Sequence, residues 1–511
     1  MTISPDPTLR PLDHLAVLAG EQGNGARPAL ILRNEVISHE ALNLRVDHLA
    51  GWLAREVNAP GARVATWAAK GELTCLMPLA AARAGMVHVP INPLLKRAQA
   101  SHILADSGAV MLIANNARLR SLEDHDTTKA CTLLEEDEAL AQASNAAISH
   151  GPSNANPDDL TAILFTSGST GLPKGVMLSH ANLWLGAVSV AHYLKLANDD
   201  VTLAVLPLSF DYGQNQLLST WYAGGAVSPL DFLFPRDVAK ACEKHDVTTL
   251  AAVPPLWVQL TEMEWGAQQT ATMRRLTNSG GALTTDLVRD LGATFPQADL
   301  YPMYGLTEAF RSTYLDPALV EANPTSMGTA IPFAEILVID DDGNVAAPDV
   351  EGELVHCGPL VAQGYWRDSQ RTAERFKLAP EQSEYGGTAV WSGDRVKRAS
   401  DGLLHFVGRR DAMIKSAGNR ISPQEIEEAA VATDLVTEAA ALGIPDERLG
   451  HSVHLVVRGV EDDEERTQLA KLLKAELPNF MQPHMIHWRD SMPLNPNGKI
   501  DRNALLRELS A

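Results

Sequence analysis

The stretch Thr166–Ser167–Gly168–Ser169–Thr170–Gly171–Leu172–Pro173–Lys174–Gly175 gathers hydroxyls, glycines and one lysine into a single loop. Glycines admit positive φ and let the backbone come close to a ligand. Exposed N–H groups and hydroxyls can then wrap phosphate oxygens, and Lys174 adds a mobile positive charge. The apolar run Leu160–Phe165 in front predicts a strand, and a helix is expected from about Ser179. The pattern is not the P-loop, which needs Ser or Thr after its lysine, where this chain has Gly175. A flexible Ser/Gly linker would need neither the Pro–Lys–Gly ending nor the strand before it.

The phosphate loop resembles the signature of the AMP-forming adenylating superfamily, which holds acyl-CoA synthetases, adenylation domains of nonribosomal peptide synthesis and luciferases. Further stretches match in order: Tyr304–Gly305–Leu306–Thr307–Glu308, Ser392–Gly393–Asp394, Gly408–Arg409–Arg410–Asp411, Lys415–Glu427 and Pro493–Lys499. The likeness spans residues from about 30 to 505. It implies an ATP-dependent ligase that joins a small-molecule carboxylic acid to AMP and then passes the acyl group to a thiol. Two anions must meet in the first step, so positive charge and Mg²⁺ are required.

The resemblance also implies roles. Thr166, Ser167, Gly168, Ser169, Thr170, Gly171 and Lys174 would hold the triphosphate. Thr307 would contact the α-phosphate, and Glu308 would bind Mg²⁺. Tyr304 would stack on adenine, while Asp394 and Arg409 would reach the ribose. Lys499 would bridge the attacking carboxylate and the α-phosphate. Asp411 matches a hinge about which a small C-terminal domain swings, and Gly418 would then line the thiol's tunnel. The thiol is CoA or the phosphopantetheine of a separate carrier protein. A luciferase-like oxygenase shares the adenylation half of this chemistry and is a remote alternative.

The acid pocket follows the phosphate loop. By position in the family pattern its residues are Phe210, Asp211, Tyr212, Asn215, Leu256, Thr277, Ser279, Met303, Arg311 and Ser312. Phe210–Asp211 resembles amino-acid-activating domains, where the aspartate pairs with the substrate's ammonium. A buried acid needs a cation. Arg311 offers a second reading: it neutralises Asp211 internally, or holds a second carboxylate. The stretches around Asp211 and Tyr304 also resemble stand-alone ligases associated with exosortase systems. An acyl acid bound for CoA and an amino acid bound for a carrier protein both remain open.

These groups must be held by a scaffold. Ser38–Arg55 and Leu73–Ala84 read as helices, and Arg63–Trp67 and Val87–Ile91 as strands. Alternation of this kind implies parallel sheets flanked by helices. A polar stretch, Ala143–Asp159, reads as a loop. Beyond 330 short alternating strands suggest a small barrel-like region, and from about Ala412 a separate α+β unit follows. The expected fold is mixed α/β: a large N-terminal domain, 1–410, and a small mobile C-terminal domain, 411–511. The length of 511 residues supports more than one core, because single cores stop growing at roughly 250–300 residues.

A formal net charge of −21 opposes nucleic acid and anionic membranes as partners. The four cysteines are scattered and form no C-x-x-C pair, which argues against a zinc site or disulfide framework. Cys357 lies in an apolar run and reads as a small buried hydrophobe. The N-terminal segment has no signal-peptide pattern, and no apolar run reaches the roughly 20 residues a membrane span requires. These features together predict a cytoplasmic enzyme.

Overall fold

The computed structural model describes residues 8–123, 126–127, 131–166, 173–409, 414–416, 419–446, 449–460, 462–479 and 481–510. Ser167, Gly168, Ser169, Thr170, Gly171, Asp411 and Gly418 lie outside the described residues.

The predicted helix–strand alternation is present. Ser38 caps the helix His39–Val57, its hydroxyl accepting from the Ala41 N–H, and the helix buries Leu42, Val46, Leu49 and Leu53 on one face. Arg63–Trp67, Val87–Pro90, Met111–Ala114, Thr132–Glu135 and Leu160–Thr166 pair in parallel in one sheet. A second parallel run holds Ala226–Pro229, Val201–Ala204, Thr249–Ala252, Arg275–Asn278 and Asp299–Tyr304. Their near-continuous apolar character fits strands covered on both faces. Cys357 is fully buried among Ile339, Val355 and Ala389, as its apolar run implies.

The helix expected from about Ser179 is present, and the residues just before it, left unassigned in the sequence, form a strand. An antiparallel strand, Lys174–Ser179, comes first and pairs with Leu160–Thr166, so that Thr166 faces Lys174 across the ladder. The helix His180–Tyr193 follows, capped by Ser179. Gly175–Leu178 is too short an apolar run for its period to separate strand from helix. One local expectation needs correction: the polar stretch from Ala143 begins inside a helix, Glu136–Ala146, which ends where Ala147 takes a left-handed conformation.

Beyond 330 an antiparallel sheet forms from Glu335–Ile339, Glu351–Cys357, Thr388–Arg398 and Leu404–Arg409. The last part of the chain builds a sheet of its own, from Ile414–Ser416, Asn419–Ile421, Glu438–Asp446, Gly450–Arg458 and Met485–Arg489. Helices Pro423–Val431 and Asp463–Glu476 close a separate core over it, with Ile421, Leu455, Leu469 and Leu473 at its centre. The architecture is mixed α/β, with a large sheet domain and a smaller α+β domain.

Candidate active site

The crevice lies at the carboxyl ends of the parallel strands, where open α/β sheets bind ligands. Thr166 ends Leu160–Thr166, Tyr304 ends Asp299–Tyr304, and Ser279–Gly280 follows Arg275–Asn278. Thr166 and Lys174 face each other at the two ends of the stretch expected to bind phosphate.

At the second end, Lys174 Nζ donates to Glu308 Oε1 at 3.2 Å and to the Tyr365 hydroxyl at 2.7 Å. That hydroxyl donates to Glu308 Oε1 at 2.6 Å. Tyr365 arrives through the short strand Gly364–Tyr365, which pairs with Val176 and Met177. Burial opposes the charge on Glu308, but Lys174 and the Tyr365 hydroxyl hold its carboxyl below the ordinary glutamate value. Burial lowers the Lys174 ammonium, with Glu308 pulling the other way.

Glu308 sits in a single 3-10 turn, Thr307–Ala309. The next residue, Phe310, is fully buried and has φ +58°. Its ring covers Gly186, where any Cβ would meet it at 2.1 Å. A non-glycine residue in this region carries strain that the surroundings must enforce. Here the Phe310 ring is held over Gly186, and either side of the reversal Thr307 and Arg311 both reach Asp211.

A second cluster joins Tyr304, Asp394 and Arg409. The Tyr304 hydroxyl donates to Asp394 Oδ2 at 2.5 Å, and Arg409 Nε lies 2.9 Å from Oδ1. Burial and the adjacent carboxylate push the Tyr304 hydroxyl well above its ordinary value, which keeps it a donor.

Between the clusters, Asp211 begins the helix Asp211–Tyr222. Thr307 Oγ1 donates to its Oδ1 at 2.8 Å, and Arg311 Nη1 to its Oδ2 at 3.2 Å. Both Asp211 and Arg311 are buried, and the guanidinium also lies 4.5 Å from the centre of the Tyr212 ring. Asp211 thus has an internal cation, as the second reading of Arg311 expects.

Lys499 reaches the crevice from the small domain. Its side chain crosses Gly280, a left-handed residue with φ +83°. Burial lowers its ammonium below the ordinary lysine value; Asp211 opposes this, Arg409 and Arg311 add to it, and Asp394 also opposes it. The turn carrying Lys499 is pinned to the large domain by Asn92, whose Nδ2 donates to the Pro496 carbonyl at 2.9 Å and to Asn497 Oδ1 at 3.1 Å.

A small cavity of ≈ 20 Å³, room for about one water, lies beside Arg311. Of the residues predicted for the acid pocket, Tyr212, Asn215, Thr277, Met303 and Arg311 line it. The Tyr212 hydroxyl is engaged by Thr277 at 2.8 Å. Phe210, Leu256, Ser279 and Ser312 are buried but do not line it. Phe210 packs edge-on to Tyr212, and the Ser312 hydroxyl meets His356 Nδ1 at 3.0 Å.

Sequence reasoning missed Tyr365, Asn92 and Gly280. Gly280–Gly281 was a legible signal for close backbone approach. Nothing in the sequence links Tyr365 to Lys174 or Asn92 to Asn497.

The sequence matches the AMP-binding enzyme family over residues 19–366 and the AMP-binding enzyme C-terminal domain over residues 425–499. It is 30% identical over 494 residues to an L-proline–[L-prolyl-carrier protein] ligase of Pseudomonas fluorescens, covering 94% of this chain and 96% of that one. It is 30% identical over 481 residues to a feruloyl-CoA synthase of an Amycolatopsis species, covering 92% and 94%. The fold superposes on ATP-bound MatB from Rhodopseudomonas palustris with a TM-score of 0.87 at 25% identity, over 98% of this chain and 99% of that one. The chain belongs to the AMP-binding enzyme family and is an AMP-forming acid–thiol ligase.

Proposed function

We propose that the chain binds ATP at the 166–175 loop, forms an acyl-adenylate from a small-molecule carboxylic acid, and transfers the acyl group to a pantetheine thiol. In the first step a carboxylate oxygen attacks the α-phosphorus and pyrophosphate leaves. In the second a thiolate attacks the acyl carbon and AMP leaves. The observation that carries this reading is the position of Lys499: its side chain crosses Gly280 in the loop after the strand Arg275–Asn278, so the small domain brings one ammonium to the carboxyl ends of the parallel strands. A cation there offsets the charge that builds as two anions meet.

The other residues take supporting roles. Thr166 and Lys174 hold the β- and γ-phosphates at the feet of the loop. Tyr304, Asp394 and Arg409 bind the nucleoside, the carboxylate accepting from ribose hydroxyls through its remaining lone pairs. Thr307 sits between Asp211 and the α-phosphate position.

Glu308 fits Mg²⁺. Magnesium is commonly held by one or two carboxylates together with substrate phosphates rather than by an all-protein cage. Glu308 is ionised beside the phosphate loop, and no cluster of three metal-binding side chains exists among the described residues. When bound, the ion would screen the charge on the phosphate oxygens.

We place the domain division near residue 410, with Asp411 as hinge and Gly418 in the thiol's path after the small domain turns. Names of the relatives leave both CoA and a carrier protein as acceptors. Four unpaired cysteines support a reducing, cytoplasmic setting. The net charge of −21 argues against nucleic-acid partners. Among the described residues no helix is long and apolar enough to cross a membrane.

The test is acid-dependent ATP–pyrophosphate exchange by the full chain over apolar, hydroxy, amino and dicarboxylic acids. Exchange with at least one acid is expected. No exchange with any acid would contradict the reading.

A further inference from the structure

Asp211 is a buried carboxylate whose charge is answered from within the protein. Thr307 Oγ1 donates to its Oδ1 at 2.8 Å, and Arg311 Nη1 donates to its Oδ2 at 3.2 Å. The residue also opens the helix Asp211–Tyr222, where the aligned peptide dipoles favour a negative group. Asp211 is 6% exposed and Arg311 2%. A carboxylate so placed needs one cation, and Arg311 supplies it.

Arg311 is held in place rather than left to swing. Its guanidinium lies 4.5 Å from the centre of the Tyr212 ring, a cation–π contact that strengthens away from water. Its backbone N–H donates to the Ala309 carbonyl at 2.6 Å, and the N–H of Ser312 donates to the Tyr304 carbonyl at 3.1 Å. On the other side, a Cβ added to Gly305 would meet Arg311 Cα at 3.0 Å. The residue before it, Phe310, is fully buried with its ring over Gly186.

The charge count then decides what can bind beside Asp211. A guanidinium does not give up its proton inside proteins. An acid bearing an α-ammonium would bring a second cation to a single carboxylate, and one positive charge would be buried without a partner. An acid without the amine brings only its own carboxylate, which goes to the α-phosphorus.

We infer that the acid this enzyme activates carries no ammonium beside its carboxyl group, and that Arg311 sets this selectivity by occupying Asp211. The inference rests on the acid-activating function proposed above and names its substrate class, an acyl acid rather than an amino acid.

The test is ATP–pyrophosphate exchange by the full chain with acids paired so that only the amine differs: alanine with propanoate, norleucine with hexanoate, proline with cyclopentanecarboxylate, and phenylalanine with hydrocinnamate. In each pair that supports exchange, the acid without the amine should have the higher kcat/KM by about tenfold or more, because an unpartnered buried charge weighs heavily against binding. Arg311→Met frees Asp211, and in that variant the ratio should move toward the amino acid by a similar factor. Arg311→Lys keeps a cation at the site and should keep the preference, so the role of the charge is read even where the methionine variant fails to fold. An amino acid equal to or better than its partner in the unaltered enzyme would overturn the inference while leaving the ligase function standing. A ratio unmoved in an active Arg311→Met enzyme, or a preference lost in Arg311→Lys, would overturn the role of Arg311. Absence of exchange with every acid would overturn the ligase reading and this inference with it.

Discussion

The side chain of Lys499 lies so close over Gly280 that a methyl group on the glycine would meet Cε at 2.5 Å and Nζ at 3.0 Å. One residue comes from the small domain and the other from the loop after a central parallel strand. Glycine therefore makes room for the lysine where the two domains meet.

The Tyr365 hydroxyl links Lys174 to Glu308. Tyr365→Phe removes a hydrogen bond to a charged carboxylate, an interaction of about 1.5–3 kcal/mol. The expected effect is roughly a tenfold to hundredfold loss in kcat/KM for adenylation, with a raised requirement for Mg²⁺. Pyrophosphate exchange titrated with Mg²⁺ checks this, and an unchanged Mg²⁺ dependence would speak against the arrangement.

Asn92 holds the turn before Lys499 through two hydrogen bonds across the domains. At about 1 kcal/mol each, their loss in Asn92→Ala shifts the domain equilibrium roughly thirtyfold away from this arrangement. Adenylation should slow, while transfer from a supplied acyl-adenylate to the thiol should hold or improve. Single-turnover measurement of each half-reaction separates the two. Equal slowing of both would indicate a merely structural role.

Arg311 is the internal cation of buried Asp211. Removing one partner of a buried pair leaves an uncompensated charge, at a cost of about 3–5 kcal/mol. Arg311→Met is expected to destabilise the enzyme by about that amount, and adding Asp211→Asn should recover part of the loss. Urea unfolding of the single and double variants measures the coupling. Additive losses would show that the pair is not coupled.

Burial lowers the Lys499 ammonium, with Asp211 opposing. A lysine with a lowered pKa loses its charge at lower pH than a free one. Adenylation kcat/KM, which reports the free enzyme, should therefore fall as pH rises, on a limb below the ordinary lysine range. Lys499→Arg keeps its charge and should move that limb upward. A limb unmoved by the substitution would assign it to another group, with Lys174 the first to examine.

How much of this could be read from sequence depends on how each residue is positioned. Lys174, Glu308, Asp394 and Arg409 stand inside short contiguous motifs, each fixed by its own strand end or turn. The residues that support them do not. Tyr365 is 191 positions from Lys174, and Asn92 is 404 from Pro496. Their meeting depends on which strands pair and how the domains dock, and neither leaves a periodic trace. The strand Lys174–Ser179 was hidden for another reason, since its alternation is too brief to distinguish from the start of a helix. For Asp211 the sequence allowed a substrate ammonium or Arg311 as the partner, and only three-dimensional placement brought the guanidinium to the carboxylate.

The central claim is that one ammonium, delivered by the small domain, is required where carboxylate and α-phosphate react. Lys499→Ala is the direct measurement, with rates followed separately for adenylate formation and for acyl transfer from supplied adenylate. The account predicts that adenylation falls about 10²–10³-fold or more, while ATP binding and the transfer step are largely retained. Adenylate forming at the normal rate in this variant would contradict it.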